Sequence, residues 1–290
     1  MKYSKAVKKS FGRAAPLYEA RADFQEEAAE ELLSLVTSMA ESLSSSKSIK
    51  ILDAGCGTAR LMRSLSGNLV VDASLFGLDI ALPMLLEAVD VKSSLGVEGG
   101  QRGARRGANQ GKARFSLING ACEGLPFSDA VFDLIISNLA YQWVRDLPLA
   151  FAEVERVLRP GGGFVFSTLG PATLNELQSS LVEADIKGGS FAFTPFAAID
   201  RIEAALEGAG LRLLDIKKKT LLWRYNRPLH LLTTLKKTGA SPRGRIIGGS
   251  LSKGTFLRRV MRIYEKKFVH IDGGIAATYE VLFVNAEKRA

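Results

Sequence analysis

Asp53, Gly55, Gly57 and Asp79 are the residues of this 290-residue chain whose types and spacing carry the most chemistry. Three of them lie in Asp53-Ala54-Gly55-Cys56-Gly57-Thr58-Ala59, which follows the apolar run Ile49-Lys50-Ile51-Leu52 and opens a helical pattern. Glycines two apart let a backbone turn tightly and come close to a ligand. Asp79 stands 24 residues after Gly55, at the end of the next apolar run. A carboxylate there can accept both hydroxyls of a ribose. The run lacks the Gly-x-Gly-x-x-Gly spacing of a dinucleotide fingerprint and the Gly-Lys-Ser/Thr of a phosphate-binding loop. Cys56 and Cys122 are the only cysteines, and His230 and His270 the only histidines. That supply predicts neither a disulfide framework nor a zinc site.

The elements that must position these residues follow from periodicity. Apolar runs at 49–54, 74–80, 113–118, 132–137, 163–169 and 278–286 read as strands. Helical patterns at 19–43, 58–66, 82–91 and 147–158 lie among them, the first with Phe24, Ala28, Leu32, Leu35 and Met39 on one face. Arg159-Pro160-Gly161-Gly162-Gly163 stops the last of these helices. Strands alternating with helices predict an α/β fold with a doubly wound, mostly parallel sheet. Residues 92–112 interrupt the rhythm with six glycines and five basic residues against one acid, and read as a surface insertion.

Composition bounds the rest. An apolar fraction of 47% and a charged fraction of 24% exclude collagen, a disulfide mini-scaffold and wholesale disorder. No window has the ~18–20 uninterrupted apolar residues of a spanning helix. The basic N-terminus has no apolar stretch of the secretory kind, so the cytoplasm is the expected compartment. The net charge of +9 is uneven: residues 201–290 carry 19 Lys and Arg against 7 Asp and Glu, a net of +12, and residues 1–200 a net of −3. The 217–267 stretch has 15 basic residues and one acid, Glu265. Such a surface is either a solvated face or a docking face for an acidic partner, whether nucleic acid, anionic membrane or protein.

The motif around Asp53 resembles the first motif of class I S-adenosylmethionine-dependent methyltransferases, Asp/Glu-x-Gly-x-Gly-x-Gly. Glu123-Gly124-Leu125-Pro126-Phe127 is similar to their loop beside adenine, the run from Phe132 to Asn138 to their fourth strand, and Leu158-Arg159-Pro160-Gly161-Gly162 to their helix-to-strand turn. Two positions depart. Ala59 replaces the third glycine, where a methyl is expected to narrow the approach to the cofactor. Gly120-Ala121-Cys122 lacks the aspartate that faces the adenine amino group. Losing a hydrogen bond to a charged acceptor costs on the order of 1.5–3 kcal/mol.

The flanking runs narrow the resemblance. These are Phe11-Gly12-Arg13-Ala14-Ala15-Pro16-Leu17-Tyr18-Glu19, Asn138-Leu139-Ala140-Tyr141-Gln142-Trp143, Ser167-Thr168-Leu169-Gly170-Pro171 and Leu235-Lys236-Lys237-Thr238-Gly239-Ala240. Together they resemble the malonyl-acyl-carrier-protein O-methyltransferases of biotin synthesis, from about residue 8 to 287. The resemblance implies a Rossmann-like seven-stranded sheet. It divides the chain into an N-terminal helical segment over the active site (1–48), a cofactor-binding core (49–216) and a basic C-terminal lobe with the last strand (217–290). It implies S-adenosylmethionine as cofactor and methylation of the free carboxylate of a malonyl thioester. The partner would be an acidic acyl carrier protein on the basic C-terminal face. By position, Gly55 and Gly57 would approach the methionine part, Asp53 would orient the glycine loop and the amino-acid end of the cofactor, and Asp79 would hold the ribose. Cys122 and Glu123 would border adenine, and Asn138 would present its carbonyl to the methionine amine. Tyr18 is the catalytic candidate that steadies the carboxylate. Trp143, Arg243 and Arg245 are candidates for the substrate side.

Three other functions fit parts of the pattern. A small-molecule methyltransferase would leave the basic lobe unused. An RNA methyltransferase fits the charge, but Ser137-Asn138-Leu139-Ala140 is not the Asn-Pro-Pro-Tyr/Phe motif of base-nitrogen chemistry, so nucleic acid is not the expected partner. A non-catalytic assembly protein fits Ala59 and Ala121 but not the intact Asp53 and Asp79.

Overall fold

The computed structural model describes residues 7–9, 11–12, 23–43, 48–69, 71–94, 113–185, 191–193, 196–237, 244–246 and 253–290. Helix α1 (Asp23–Leu43) precedes two βα units, β1 (Ile49–Ala54) with α2 (Arg60–Asn68) and β2 (Ala73–Asp79) with α3 (Leu82–Ser94), and then β3 (Ala113–Asn119). The chain returns through β4 (Phe132–Asn138), a 3-10 turn (Tyr141–Trp143), α4 (Leu147–Val157), β5 (Leu158–Leu169) and α5 (Asn175–Ala184). It ends in β6 (Phe191–Phe193), α6 (Ile199–Gly208), β7 (Leu211–Tyr225), α7 (Pro228–Lys237), β8 (Gly244–Ile246), α8 (Lys253–Lys267) and β9 (Ile275–Lys288).

Seven strands form one sheet in the order β3-β2-β1-β4-β5-β9-β7. The first five are parallel, and β9 runs antiparallel to both β5 and β7. The chain winds outward from β1 to β3 and then restarts on the other side at β4. A ligand crevice is expected where the winding reverses, outside the carboxyl ends of β1 and β4. Register places Asp53, Asp79 and Asn138 at or beside that edge, since Asp53 lies level with Gly77 and Ile136, and Asn138 with Ser167.

Strands buried on both faces read as apolar runs, which is why β1, β4 and β5 are legible in the sequence. Helix α1 packs on one face through Phe24, Ala28, Leu32, Val36 and Ala40, all buried. The expected Leu35 and Met39 flank that stripe, half-buried. Phe151, Val154, Phe164, Phe166 and Leu206 fill the opposite face.

Two strands, β5 and β7, differ from expectation for physical reasons. Strand β5 starts at Leu158, paired with Phe132, but the register then jumps to Leu134 with Gly163. The Arg-Pro-Gly-Gly run is therefore a bulge inside a strand. Gly161 adopts φ 75°, and a Cβ on Gly162 would lie 2.8 Å from the Arg159 carbonyl oxygen. Strand β7 was hidden by its three consecutive lysines. It is the sheet's edge, where lysines block pairing with other chains. Lys219 folds back onto Glu31 (3.1 Å) and Glu27 (3.5 Å) of α1. The division expected at 216/217 falls inside β7, so the basic lobe shares the core sheet. Residues 92–94 of the expected insertion belong to α3, and 95–112 lie outside the described residues.

Candidate active site

Two chambers flank the glycine loop at the carboxyl edge of the sheet. The larger, about 720 Å³, is lined by Gly57, Asp79, Ile80, Cys122, Glu123 and Trp143, among others. The smaller, about 490 Å³, is lined by Gln25, Asp53, Thr58, Arg60 and Asn138. Gly55, Gly57 and Asn138 line both.

The loop is hung on β2. The Gly55 and Cys56 amides donate to the Leu78 carbonyl at 2.7 and 3.0 Å. The Gly57 amide donates to one Asp79 carboxylate oxygen at 3.0 Å, and the Ala81 amide donates to the other at 2.7 Å. Orienting the loop, the role expected of Asp53, therefore falls to Asp79 and Leu78. Burial raises the Asp79 carboxyl, and the two amides partly offset that.

The two glycines serve different ends. A Cβ on Gly55 (φ 85°) would come within 2.3 Å of the Ala140 Cβ, so this glycine makes room for the loop after β4. A Cβ on Gly57 (φ 55°) would meet nothing within 4 Å, and its backbone faces open space. Ala59 is buried in the core at φ 62° and lines neither chamber. Its cost is backbone strain rather than a narrowed cofactor approach, because an L-residue in the left-handed region crowds its own Cβ.

Asp53 is 2% exposed, and neither carboxylate oxygen has a hydrogen-bond partner among the described residues. Burial, reinforced by Asp79, pushes its carboxyl up to about 8. The Gln25 amide oxygen is likewise buried without a partner there. A buried, unpartnered acid is costly unless a ligand answers it. The donor set fits a cation in the smaller chamber.

Asn138 is fixed on both sides. Its amide nitrogen donates to the Gln25 carbonyl at 3.0 Å, and its amide oxygen accepts from the Ser167 hydroxyl at 2.6 Å. Leu139 follows at φ 51°, its amide donating to the Ser167 hydroxyl and carbonyl oxygens at 3.0 and 3.1 Å. Ser167 is thus a positioning residue that the sequence reading quoted without a role.

Cys122 and Glu123 line the larger chamber, and Glu123 accepts the Arg145 amide at 3.3 Å. Burial raises both thiols, Cys56 and Cys122, so neither is a thiolate nucleophile. Trp143 walls the chamber with Phe11 edge-on, ring centroids 5.6 Å apart. Tyr18 and Arg243 lie outside the described residues, and Arg245 is described by its backbone on β8, paired with Ala192. Gln25 has no motif to mark it in the plain amphipathic stretch of α1, and Phe11 opens one of the runs that carry the resemblance but has no role of its own there.

Residues 52–166 match the model of a family described as a methyltransferase domain. A malonyl-acyl-carrier-protein O-methyltransferase from Methylovorus sp. is 34% identical over 97% of this chain and 88% of its own. The chain belongs to the malonyl-acyl-carrier-protein O-methyltransferase family. A biotin biosynthesis bifunctional protein from Saccharophagus degradans, a further relative of this family, is 32% identical over 97% of this chain. The chain spans 46% of that protein's length. Among solved structures, the YcgJ protein of Bacillus subtilis superposes with a TM-score of 0.59 at 20% identity, over 90% of this chain and 99% of its own. That likeness concerns the fold alone.

Proposed function

We propose that this chain methylates the free carboxylate of a malonyl thioester on an acyl carrier protein, an early step of biotin synthesis, in the cytoplasm. The observation that carries the reading is similarity over nearly the whole chain to a protein of that name, joined to a crevice fitted for a cationic nucleoside. S-adenosylmethionine, when bound, supplies a sulfonium-activated methyl group.

This chain's own residues bind, orient and exclude water. Asp53 and Gln25 would answer the cationic amino-acid end in the smaller chamber, with Gly57 giving close backbone approach. Asp79 has spare acceptor capacity on both oxygens for the ribose hydroxyls, and Cys122 and Glu123 border the space for adenine. Asn138, which lines both chambers, would present its carbonyl to the methionine amine. Phe11 and Trp143 form an apolar wall that keeps water from the reacting atoms. A malonyl carboxylate is ionised near neutral pH, so no general base is needed. Tyr18, Arg243 and Arg245 are the proposed groups that steady the substrate. The acidic carrier would meet the basic C-terminal face.

The decisive experiment is a mass measurement on malonyl-carrier protein incubated with the enzyme and S-adenosylmethionine. A gain of one methylene, about 14 Da by the stoichiometry of methyl transfer, that is absent with acetyl-carrier protein is expected. No gain with cofactor binding intact would overturn the acceptor. Asp79→Ala should abolish cofactor binding with the fold retained.

A further inference from the structure

The Tyr141–Trp143 turn has a cavity on each side. One is the larger chamber described above. The other, about 540 Å³, opens between the carboxyl end of β5 and the first turn of α6. Phe151, Phe166 and Phe196 give it apolar walls, and Gln142 and Thr168 line it with polar groups. Arg145 and Arg201, both exposed, stand at its rim. Val144, directly after the turn, lines both cavities.

Three features bear on what this cavity could hold. The arginines supply two planar forks suited to phosphate. Helix α6 starts at the cavity with Ala198 as its N-cap, which provides no side-chain cap, and Ala197, Arg201 and Ile202 line the wall. Tyr141 forms part of the lining, is 2% exposed, and its hydroxyl has no partner among the described residues. Three acids lie by the rim: Asp200, in the first turn of α6, accepts the Arg201 amide, Asp146 the Leu149 amide and Glu123 the Arg145 amide at 3.3 Å, so the two guanidinium groups must outweigh them to hold a phosphate.

We propose that this cavity receives the phosphopantetheine arm that carries the malonyl group, with Arg145 and Arg201 on its phosphate. The inference rests on the methyl-transfer reading above. The arm alternates amides with apolar carbons and ends in a phosphodiester, which matches polar groups set among phenylalanines below a basic rim. The shared Val144 wall brings the thioester end beside the cofactor chamber. Strand β8, with Arg245, pairs with β6, and the β6 strand ends three residues before Phe196. The basic lobe thus adjoins the rim where a carrier would sit.

Malonyl-phosphopantetheine and malonyl-pantetheine separate the phosphate from the rest. For the intact enzyme, KM should be at least about tenfold lower with the phosphate, the size of one charge-assisted hydrogen bond. In Arg145→Ala/Arg201→Ala that preference should vanish, with kcat on malonyl-pantetheine and the S-adenosylmethionine Kd unchanged. Arg201→Gln, which keeps the stem of the side chain, should lose part of it. A preserved preference in the double variant overturns the proposal. Malonyl-carrier protein and malonyl-coenzyme A present the same arm, and loss with both, or with one, identifies which source uses the cavity; loss with neither overturns it. Calorimetry with unacylated phosphopantetheine needs no turnover. If the intact enzyme transfers no methyl yet binds this probe through the two arginines, the reaction reading fails and the cavity assignment stands. If it binds the probe no better than pantetheine, the cavity assignment fails.

Discussion

Asp53 is the residue whose chemistry depends most on its surroundings. Its folded-state carboxyl sits near 8, against an ordinary value near 4, because burial penalises the charged form. Between those values the folded state holds a proton that the unfolded state has released. The contribution of Asp53 to the stability of the cofactor-free protein therefore falls as pH rises from about 4 to about 8. A cation in the smaller chamber reverses the preference and expels the proton. Calorimetry of S-adenosylmethionine binding at pH 7 in buffers of different ionisation enthalpy should record proton release in the intact protein and none in Asp53→Asn. Equal proton release in both would show that another group titrates. Ala59 poses a simpler test. Its left-handed backbone costs roughly 1–2 kcal/mol relative to a glycine in that conformation, less what glycine loses in chain entropy. Ala59→Gly should raise thermal stability by about 0.5–1 kcal/mol, with cofactor affinity unchanged because the methyl faces the core. A tightened cofactor Kd would instead restore the steric role.

Among the elements, the carboxyl ends of β4 and β5 set the site. Ser167 on β5 satisfies both Asn138 and the Leu139 amide at the end of the neighbouring strand β4, and holds Leu139 in a strained conformation. Ser167→Ala would orphan buried groups at about 1–3 kcal/mol. Chemical denaturation should lose that amount, and S-adenosylmethionine should bind more weakly as Asn138 and Ala140 shift against Gly55. A loss of stability with unaltered cofactor affinity would confine Ser167 to packing. This same edge explains what the sequence made legible. The apolar runs of β1, β4 and β5, buried on both faces, announced themselves, and the glycine loop between β1 and α2 carried its motif. Strand β7 did not, because an edge strand's lysines mask its alternation. The Asn138 to Ser167 bond was equally hidden, since it joins positions 29 residues apart whose register exists only in the sheet. Gln25 reaches the site from α1 across 113 positions, with no local pattern to mark it.

At the scale of the whole molecule, charge acts beyond any one contact. Part of the basic excess is neutralised within the fold, by Lys219 with Glu27 and Glu31, Lys267 with Glu183, and Arg212 with Glu287. What stays turned outward includes Arg258, Arg262 and Lys266, spaced four apart along the exposed face of α8. A field of that sign raises the encounter rate of an acidic protein and is screened over about 8 Å at physiological salt. The consequence separates steering from binding in the pocket. With malonyl-carrier protein, kcat/KM should fall steeply between about 50 and 300 mM salt, as expected when attraction of an acidic protein sets the on-rate. With malonyl-pantetheine, which bears a single charge, the fall should be shallow. Arg258→Glu/Arg262→Glu should flatten the carrier's salt dependence and lower its kcat/KM several-fold at low salt, leaving malonyl-pantetheine turnover and the S-adenosylmethionine Kd in place. These side chains lie on a helix surface with no part in either chamber, so the fold should tolerate the change. If the double reversal leaves the carrier's salt dependence as steep as before, the attraction comes from elsewhere on the basic face, and the rim around Arg145 and Arg201 becomes the next surface to reverse.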